Sequence, residues 1–183
     1  MTAEWKKWIP GLDNDEMTLG EVLADLPGND PADISIIVKL LENPKSPIAL
    51  KGAVTLERHD CIHILLGRGL LNQDEAFVIG YTMGTSKDIS KLEEFIFKTV
   101  SVYLYPKQYR FNEKHLKVYK MGLEMGKKSS VEKIYEFPFE DYHDWRLGDL
   151  RNKLGINKEH LKETYRKEQQ MLPVTIASKR LFT

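Results

Sequence analysis

Residues 57–77 read ERHDCIHILLGRGLLNQDEAF, and this stretch decides the predicted fold because it holds two helical segments joined by a glycine-rich turn. Ser46 followed by proline is typical of a helix start, so the first segment is predicted to be helical from there to Gly67. The motif GRG supplies residues that tolerate the left-handed turn at a helix end. Asn72 or Asp74 can cap the next helix. The stretch therefore predicts two consecutive helices that fold back as an antiparallel αα-hairpin.

Capping residues, glycine and proline divide the rest of the chain into further short helices. Thr18 and Glu21 have the spacing of a capping box, and Asn112 is expected to cap another helix. Runs that alternate apolar and polar residues, as β-strands do, are scarce. We therefore predict an all-α, single-domain helical bundle over residues 1–157. Residues 158–183 are expected to form a charged C-terminal helix and a loose tail.

The hairpin is also expected to carry a metal site. His59 and His63 are four residues apart, so they share one face of a helix, and Asp60 can lean towards the same point. Because the second helix folds back, its first turn lies level with the last turn of the first helix, which brings Glu75 to the two histidines. Imidazole and carboxylate groups are normal ligands of divalent metals. The four candidate ligands are His59, Asp60, His63 and Glu75.

Other interpretations of the same residues remain open at this point. Two histidines with an intervening aspartate also occur on solvated helix faces or as hydrogen-bonded pairs. The zinc peptidase helix H-E-x-x-H has a glutamate where this chain has the shorter Asp60, which argues against a peptidase. The phosphohydrolase HD dyad needs a histidine well upstream, and His59 is the first in the chain. The apolar neighbours Ile62, Leu65 and Leu66 predict burial, and a buried cluster of histidines and acids needs partners or a cation.

Composition narrows the class of protein. The chain has 183 residues, with 27 basic and 27 acidic side chains and a formal net charge of zero. That balance argues against a nucleic-acid-binding protein, which needs a basic excess on one face. A single cysteine, Cys61, gives no intramolecular disulfide, and we find no targeting segment and no apolar run of about 18 residues. We expect a cytoplasmic protein, with peripheral contact at the inner face of the cell membrane left open.

Three segments carry a resemblance to a known family. Residues 59–75 have the pattern H-D-x-x-H, eleven residues, then E; residues 118–126 read VYKMGLEMG; and residues 139–156 read FEDYHDWRLGDLRNKLGI, which ends in R-x-x-L-G-I. Together they resemble the Coq-four family of coenzyme Q (ubiquinone) biosynthesis proteins, over roughly residues 30–157. The chain departs from the family at Leu56, where an arginine is usual, so it resembles a distant bacterial member.

The resemblance implies a helical fold with an apolar groove or tunnel for a polyprenyl chain beside the metal. It implies removal of the ring carboxylate, and hydroxylation at that carbon, of a prenylated 4-hydroxybenzoate derivative. The alternative is a non-catalytic, lipid-binding scaffold that organises other quinone-biosynthesis enzymes and contains a structural metal. Zinc is the expected metal, with iron, manganese or magnesium as alternatives. The expected partners are an isoprenoid lipid, other quinone-biosynthesis proteins, the membrane surface and a second copy of the chain.

Two further features have an ordinary and a functional interpretation. Residues 95–106, FIFKTVSVYLYP, are predicted to be a core helix or a wall of the lipid tunnel. Two pairs of glycines lie four residues apart within helical segments, and each pair opens a smooth helix face. Those faces predict close helix packing or space for an isoprenoid chain. The glycines are Gly80, Gly84, Gly122 and Gly126.

Overall fold

A computed structural model describes residues 4–27, 55–86, 89–90, 102 and 110–182 of the chain. Regular structure in these residues is helical, which confirms the predicted all-α fold; a single isolated bridge joins Thr18 and Arg146. The described α-helices are α1 (Leu19–Ala24), α2 (Leu56–Leu66), α3 (Asn72–Gly84), α4 (Glu113–Lys128), α5 (Leu147–Leu154), α6 (Lys158–Met171) and α7 (Ile176–Lys179). Short 3-10 helices cover Glu4–Lys6, Ile134–Glu136 and Phe139–Tyr142.

Local signals place most of the described helix ends where the sequence predicts them. Thr18 forms the capping box of α1 with Glu21, and the Asn112 side chain accepts hydrogen bonds at the start of α4. The start of α2 differs from the prediction. Thr55 has an extended backbone and its hydroxyl accepts from the third amide of the helix, so α2 begins at Leu56 and not near residue 46. Residues 46–54 lie outside the described residues.

The turn between α2 and α3 packs tightly against the N-terminal segment. Gly67 ends α2 in the left-handed conformation, with φ of 65°, as predicted. A Cβ atom built on Gly67 would lie 2.6 Å from the carbonyl oxygen of Gly11, and one on Gly69 would lie 2.7 Å from that of Trp8. Glycine is therefore required at both positions of the GRG motif, because the N-terminal backbone occupies the space.

Arg151 of α5 fastens the end of α2 to the same N-terminal segment. Its guanidinium is almost fully buried and donates to the carbonyl oxygens of Leu65, at 3.0 Å, and Ile64, at 3.3 Å. It also donates to Asp15, at 2.6 Å, and Asn14, at 2.8 Å. The last carbonyl groups of a helix lack their usual partners within it, so Arg151 provides a donor to Leu65 from outside and a second donor to Ile64, which also accepts from the amide of Gly67.

Helices α3 and α4 approach to backbone contact through the four glycines. Cβ atoms built on them would lie less than 3.0 Å from carbonyl oxygens of the facing helix, reciprocally along both helices. This confirms close packing as the role of these glycines. The other helix fills the smooth faces, so they leave no space for an isoprenoid chain.

The C-terminal residues pack on the core, which corrects the expectation of a loose tail. Leu161 and Tyr165 of α6 are fully buried, and Ala177 and Leu181 are nearly so. Burial of these apolar side chains offsets the entropy lost when the segment becomes ordered. The larger hydrophobic cluster accordingly combines residues of α2, α3, α5 and α6 with this segment.

The expected apolar groove stays a prediction. Residues 95–106, its expected wall, lie outside the described residues except for Val102, which packs against the smaller hydrophobic cluster. The sequence also predicts a short helix over residues 33–42, and these residues lie outside the described residues too. None of the helices in the described ranges is both long enough and apolar enough to cross a membrane.

Candidate metal centre

Three side chains converge where α2 meets the first turn of α3. Nε2 of His59 lies 3.0 Å from Oε2 of Glu75 and 3.0 Å from Nε2 of His63. Nε2 of His63 lies 3.4 Å from Oε1 of Glu75. Each residue can thus offer one ligand atom to a common point, and these atoms lie within 4.8 Å of one another. Three of the four predicted ligands are brought together.

The turn length and the helix phase explain this convergence. His59 and His63 lie one helical turn apart on α2, and five residues connect α2 to α3. Asp74 shapes the beginning of α3, because its carboxylate accepts from the backbone amide of Leu71 at 3.2 Å. The backbone of the next residue, Glu75, is therefore held in place, and its side chain extends from there towards α2.

The backbone of the turn fixes the orientation of His63. Nδ1 of His63 lies 2.8 Å from the carbonyl oxygen of Gly69. A carbonyl oxygen can only accept, so Nδ1 carries the proton and the lone pair of a neutral ring is on Nε2. Metal-binding histidines commonly use their second nitrogen in this way, which fixes the tautomer and the ring direction. His63 therefore presents its ligand atom to the point shared with His59 and Glu75.

The dimensions of the group suit one small divalent ion. Ligand nitrogen and oxygen atoms in a tetrahedral zinc site lie about 3.3 Å apart, given metal–ligand distances of ~2.0–2.1 Å. The three separations between the side chains are 3.0, 3.0 and 3.4 Å. Small rotations of the side chains are enough to accommodate an ion, so the residues fit a three-ligand metal site.

The supply of protons also favours a cation at this point. With neutral imidazoles, His63 has its proton on Nδ1, so within these three side chains one proton at most, on Nε2 of His59, faces three acceptor atoms. Burial by itself lowers the pKa of His63, but the charge and hydrogen bond of Glu75 raise it above its ordinary value. Burial would raise the pKa of Glu75, but His63 and His59 lower it well below the usual range. Glu75 is therefore ionised, and a proton or a metal ion can compensate its charge.

Asp60, the fourth predicted ligand, does not belong to this converging group. It lies on α2 and is partly buried, and burial raises the pKa of its carboxyl group although the charges of His59 and His63 act in the opposite direction. Its role as a ligand stays a prediction. Cys61 is fully buried, and burial raises the pKa of its thiol, which does not favour the thiolate form that binds metals.

Solvent reaches the group at His59 and Glu75 and not at His63. His63 is fully buried, whereas the side chains of His59 and Glu75 keep 13% and 29% of their surface exposed. Beside His59, the guanidinium of Arg58 makes a two-point contact with Glu140, at 2.5 and 3.3 Å. The 3-10 helix Phe139–Tyr142 thereby lies over one edge of α2. A ligand would therefore approach from the side of Glu75 and His59.

A second, fully buried polar network, which the sequence does not predict, supports the turn. Arg68 stacks between the rings of Phe77 and Tyr165, with its guanidinium carbon 3.9 and 4.1 Å from their centres. It pairs with Glu168 at 2.5 and 3.1 Å, and lies 3.6 Å from Asp74. The only signal in the sequence was an arginine between two glycines. Its partners lie up to 100 residues away, beyond any local pattern.

Comparison of the chain with protein-family models, with curated proteins and with solved structures finds no match.

Proposed function

We propose that this protein binds one divalent metal ion through Nε2 of His59, Nε2 of His63 and the carboxylate of Glu75. The observation that carries the proposal is the convergence of these three groups, with separations of 3.0 to 3.4 Å. The hydrogen bond from His63 to the turn supports it, since that bond leaves Nε2 for an ion.

A catalytic centre is the better interpretation of this ligand set. Two histidines and one carboxylate are the protein ligands of several zinc hydrolases and of non-haem iron oxygenases, and both classes keep an open position on the metal. The exposed edges of His59 and Glu75 give that position a direction. When bound, the ion supplies Lewis-acid chemistry towards a carboxylate or phenolate oxygen and, if it is redox-active, chemistry with dioxygen.

We further propose a prenylated quinone precursor as the substrate and a Coq-four-type activity, decarboxylation and hydroxylation of its ring. The support is the resemblance of residues 59–75 and 139–156 to that family, together with the way these segments meet. Arg151, in the R-x-x-L-G-I motif, donates to the carbonyl oxygens of Ile64 and Leu65, directly after His63. The two motifs are thus physically coupled, which gives a reason for their joint occurrence.

The identity of the metal separates two forms of this proposal. Zinc fits the distances but has no redox chemistry, so a zinc protein could polarise the ring carboxylate and would leave the hydroxylation to another enzyme. Iron or manganese suits the same ligands and could take part in a reaction with dioxygen as oxidant. Zinc is proposed first, on the ground of the resemblance.

A non-catalytic scaffold with a structural metal is the second candidate. It is favoured by the complete burial of His63 and by the position of the site at a helix junction, where an ion would fasten α2 to α3. If Asp60 became a fourth ligand, the site would be closed, as structural zinc sites are. Peripheral membrane contact, association with other quinone-biosynthesis proteins and a homodimer belong to this proposal as well.

Metal titration tests the binding proposal directly. Metal-free wild-type protein is titrated calorimetrically with zinc, ferrous iron and manganese, beside His63→Ala and a control, His160→Ala, whose side chain is exposed on α6. We expect one ion per wild-type chain, the same for His160→Ala, and loss of binding for His63→Ala. Equal binding by His63→Ala, or none by the wild type, would overturn the proposed centre.

The substrate is tested with the metal-loaded protein and a short-chain prenylated 4-hydroxybenzoate derivative in detergent. Loss of the ring carboxylate is measured by mass spectrometry under air and under nitrogen. Turnover that disappears with His63→Ala supports the catalytic form. The scaffold would be favoured if the protein binds the compound without turnover, and if a folded metal-free variant still binds it and supports quinone synthesis in cells. Failure to bind the compound at all would refute both lipid proposals.

A further inference from the structure

Arg180, which ends the last described helix, reaches back to the turn that carries the candidate metal centre. Its Nη1 donates to the carbonyl oxygen of Lys6 at 2.7 Å, and its Nη2 lies 3.5 Å from Oδ2 of Asp74. Its side chain is 16% exposed, whereas Asp74 is fully buried. One guanidinium therefore joins the C-terminal segment, the N-terminal segment and the first turn of α3.

Two neighbours of Arg180, Asp74 and Gly69, contact or adjoin a proposed metal ligand. Asp74 precedes Glu75 and caps the first turn of α3 through the amide of Leu71. Gly69 accepts the hydrogen bond from Nδ1 of His63. Arg180 thus contacts Asp74, which holds the first turn of α3 just before Glu75, and lies beside Gly69, which orients His63.

Gly69 shows how closely these groups are packed. A Cβ atom built on it would lie 2.7 Å from the carbonyl oxygen of Trp8, 3.0 Å from Nη2 of Arg180 and 3.3 Å from Oδ2 of Asp74. The N-terminal segment, the C-terminal arginine and the cap of α3 therefore surround this one residue. A shift of any of them moves the carbonyl group that holds His63.

Charge gives Arg180 a second role at the same place. Asp74 is a buried carboxylate next to Glu75, and a buried carboxylate needs compensating cations. Arg68 lies 3.6 Å from it and Arg180 3.5 Å from it, on its two oxygens. With both cations present, Asp74 stays directed into this network and away from the point where the histidines and Glu75 converge.

We propose that Arg180 is a positioning residue of the metal centre, through which the packed C-terminal segment holds His63 and Glu75 in their binding geometry. The inference rests on the proposed metal-binding function, and it concerns a segment outside residues 30–157, on which the family resemblance rests. Residues that orient metal ligands without touching the ion typically change affinity ~10–100-fold when they are replaced. Arg180 is expected to act in that range.

The test uses the full-length protein in four forms: wild type, Arg180→Gln, Arg180→Lys and the control Arg166→Gln. Arg166 is exposed on α6 and lies over the ring of Phe182, at 5.9 Å from its centre, so its replacement weakens a contact with the same segment without touching the turn. Dissociation constants are measured for zinc and cobalt. The absorption spectrum of the cobalt form reports ligand geometry, and the melting temperature of the metal-free protein reports stability.

Arg180→Gln is expected to weaken zinc binding about 10-fold or more and to change the cobalt spectrum. Arg180→Lys keeps the charge but cannot contact Lys6 and Asp74 at two points as arginine does. Its zinc affinity should therefore lie between those of the wild type and Arg180→Gln. Arg166→Gln should match the wild type in affinity and spectrum. If Arg180→Gln does not fold, the comparison of Arg180→Lys with Arg166→Gln provides the same test.

Two results would overturn the inference. One is wild-type metal affinity and cobalt spectrum in the Arg180 variants with only a lower melting temperature, which would make Arg180 a stability residue. The other is an equal loss of affinity in Arg166→Gln, which would show a general effect of loosening the segment. If wild-type protein binds no metal, the proposed function fails and this inference fails with it, whereas either result above leaves metal binding by the wild type intact.

Discussion

Replacing Gly122 with alanine tests the backbone contact between α3 and α4. A Cβ atom at this position would lie less than 3.0 Å from the carbonyl oxygen of Phe77 and 3.0 Å from the amide nitrogen of Tyr81. Both obstacles belong to the backbone of a packed helix and cannot rotate away. The two helices must therefore separate by about 1 Å before the contacts reach ordinary van der Waals distances.

The size of the effect follows from two opposing contributions. Overpacking of a well-packed core costs about 1–3 kcal/mol, and a clash with backbone belongs at the upper end of that range. Alanine recovers about 1 kcal/mol of helix propensity relative to glycine. We therefore expect a net loss of about 2 kcal/mol in the free energy of unfolding. For a chain of this size, that loss corresponds to a fall of about 4–8 °C in melting temperature.

Urea and thermal unfolding, followed by circular dichroism, measure this loss. Gly148→Ala is the matched control, since Gly148 is also helical but its added Cβ would lie no closer than 3.1 Å to the Cβ and 3.3 Å to the carbonyl oxygen of Asp15, so a shift of a few tenths of an ångström relieves these contacts. Its loss should stay below about 1 kcal/mol. Wild-type or higher stability of Gly122→Ala would refute the reasoning, because it would show that the two helices do not touch at this glycine.

Three further predictions concern the buried polar groups and a helix cap. Glu168→Gln should remove about 3–5 kcal/mol and lower the melting temperature by about 6–20 °C, because it leaves the charge of Arg68 buried without its main partner; a loss under about 1 kcal/mol in urea unfolding would contradict this. In metal-free protein, Glu75→Gln should lower the free energy of unfolding most between pH 4.5 and 6.5. Folding lowers the pKa of Glu75 from 4.5, so the ionised carboxylate contributes stability above that pH; folding raises the pKa of His63 from 6.5, so the protonated imidazole contributes stability below that pH. A loss that is equal at every pH would exclude this coupling. Thr55→Ala should cost about 1 kcal/mol through loss of the cap of α2, and a neutral result in urea unfolding would show that the helix begins elsewhere.

Local chemistry explains which parts of the fold the sequence predicts. Caps such as Thr18 and Asn112 satisfy amides within three residues, so their effect is visible in a short window. The left-handed turn at Gly67 is equally local. The start of α2 differs, because Ser46 has the features of a cap in the sequence but Thr55 is the residue that caps the helix. Several local signals compete, and tertiary packing selects among them.

The candidate site was predictable as far as it depends on helix phase. The spacing of His59 and His63, with a short turn before Glu75, was enough to bring three ligand atoms together. Asp60 lies near the same face, but spacing alone does not show which way a side chain at the edge of that face points. The carbonyl group of Gly69, which orients His63, carries no signal in the sequence, since every residue has one.

The buried ion pair beside the site bears on why the turn is built in this way. Replacing a buried ion pair by apolar residues is often neutral or stabilising, so a gain in stability does not explain why Arg68 and Glu168 are buried here. Arg68 stands next to Gly69, whose carbonyl oxygen holds His63, and it is confined by two aromatic rings and a carboxylate. A junction held by apolar contacts alone could rotate by a few degrees at little cost, and such a rotation would separate the histidine nitrogens from Glu75. Directional contacts at Arg68 restrict that rotation, as expected of a turn that holds the three converging side chains of the proposed metal centre in one geometry.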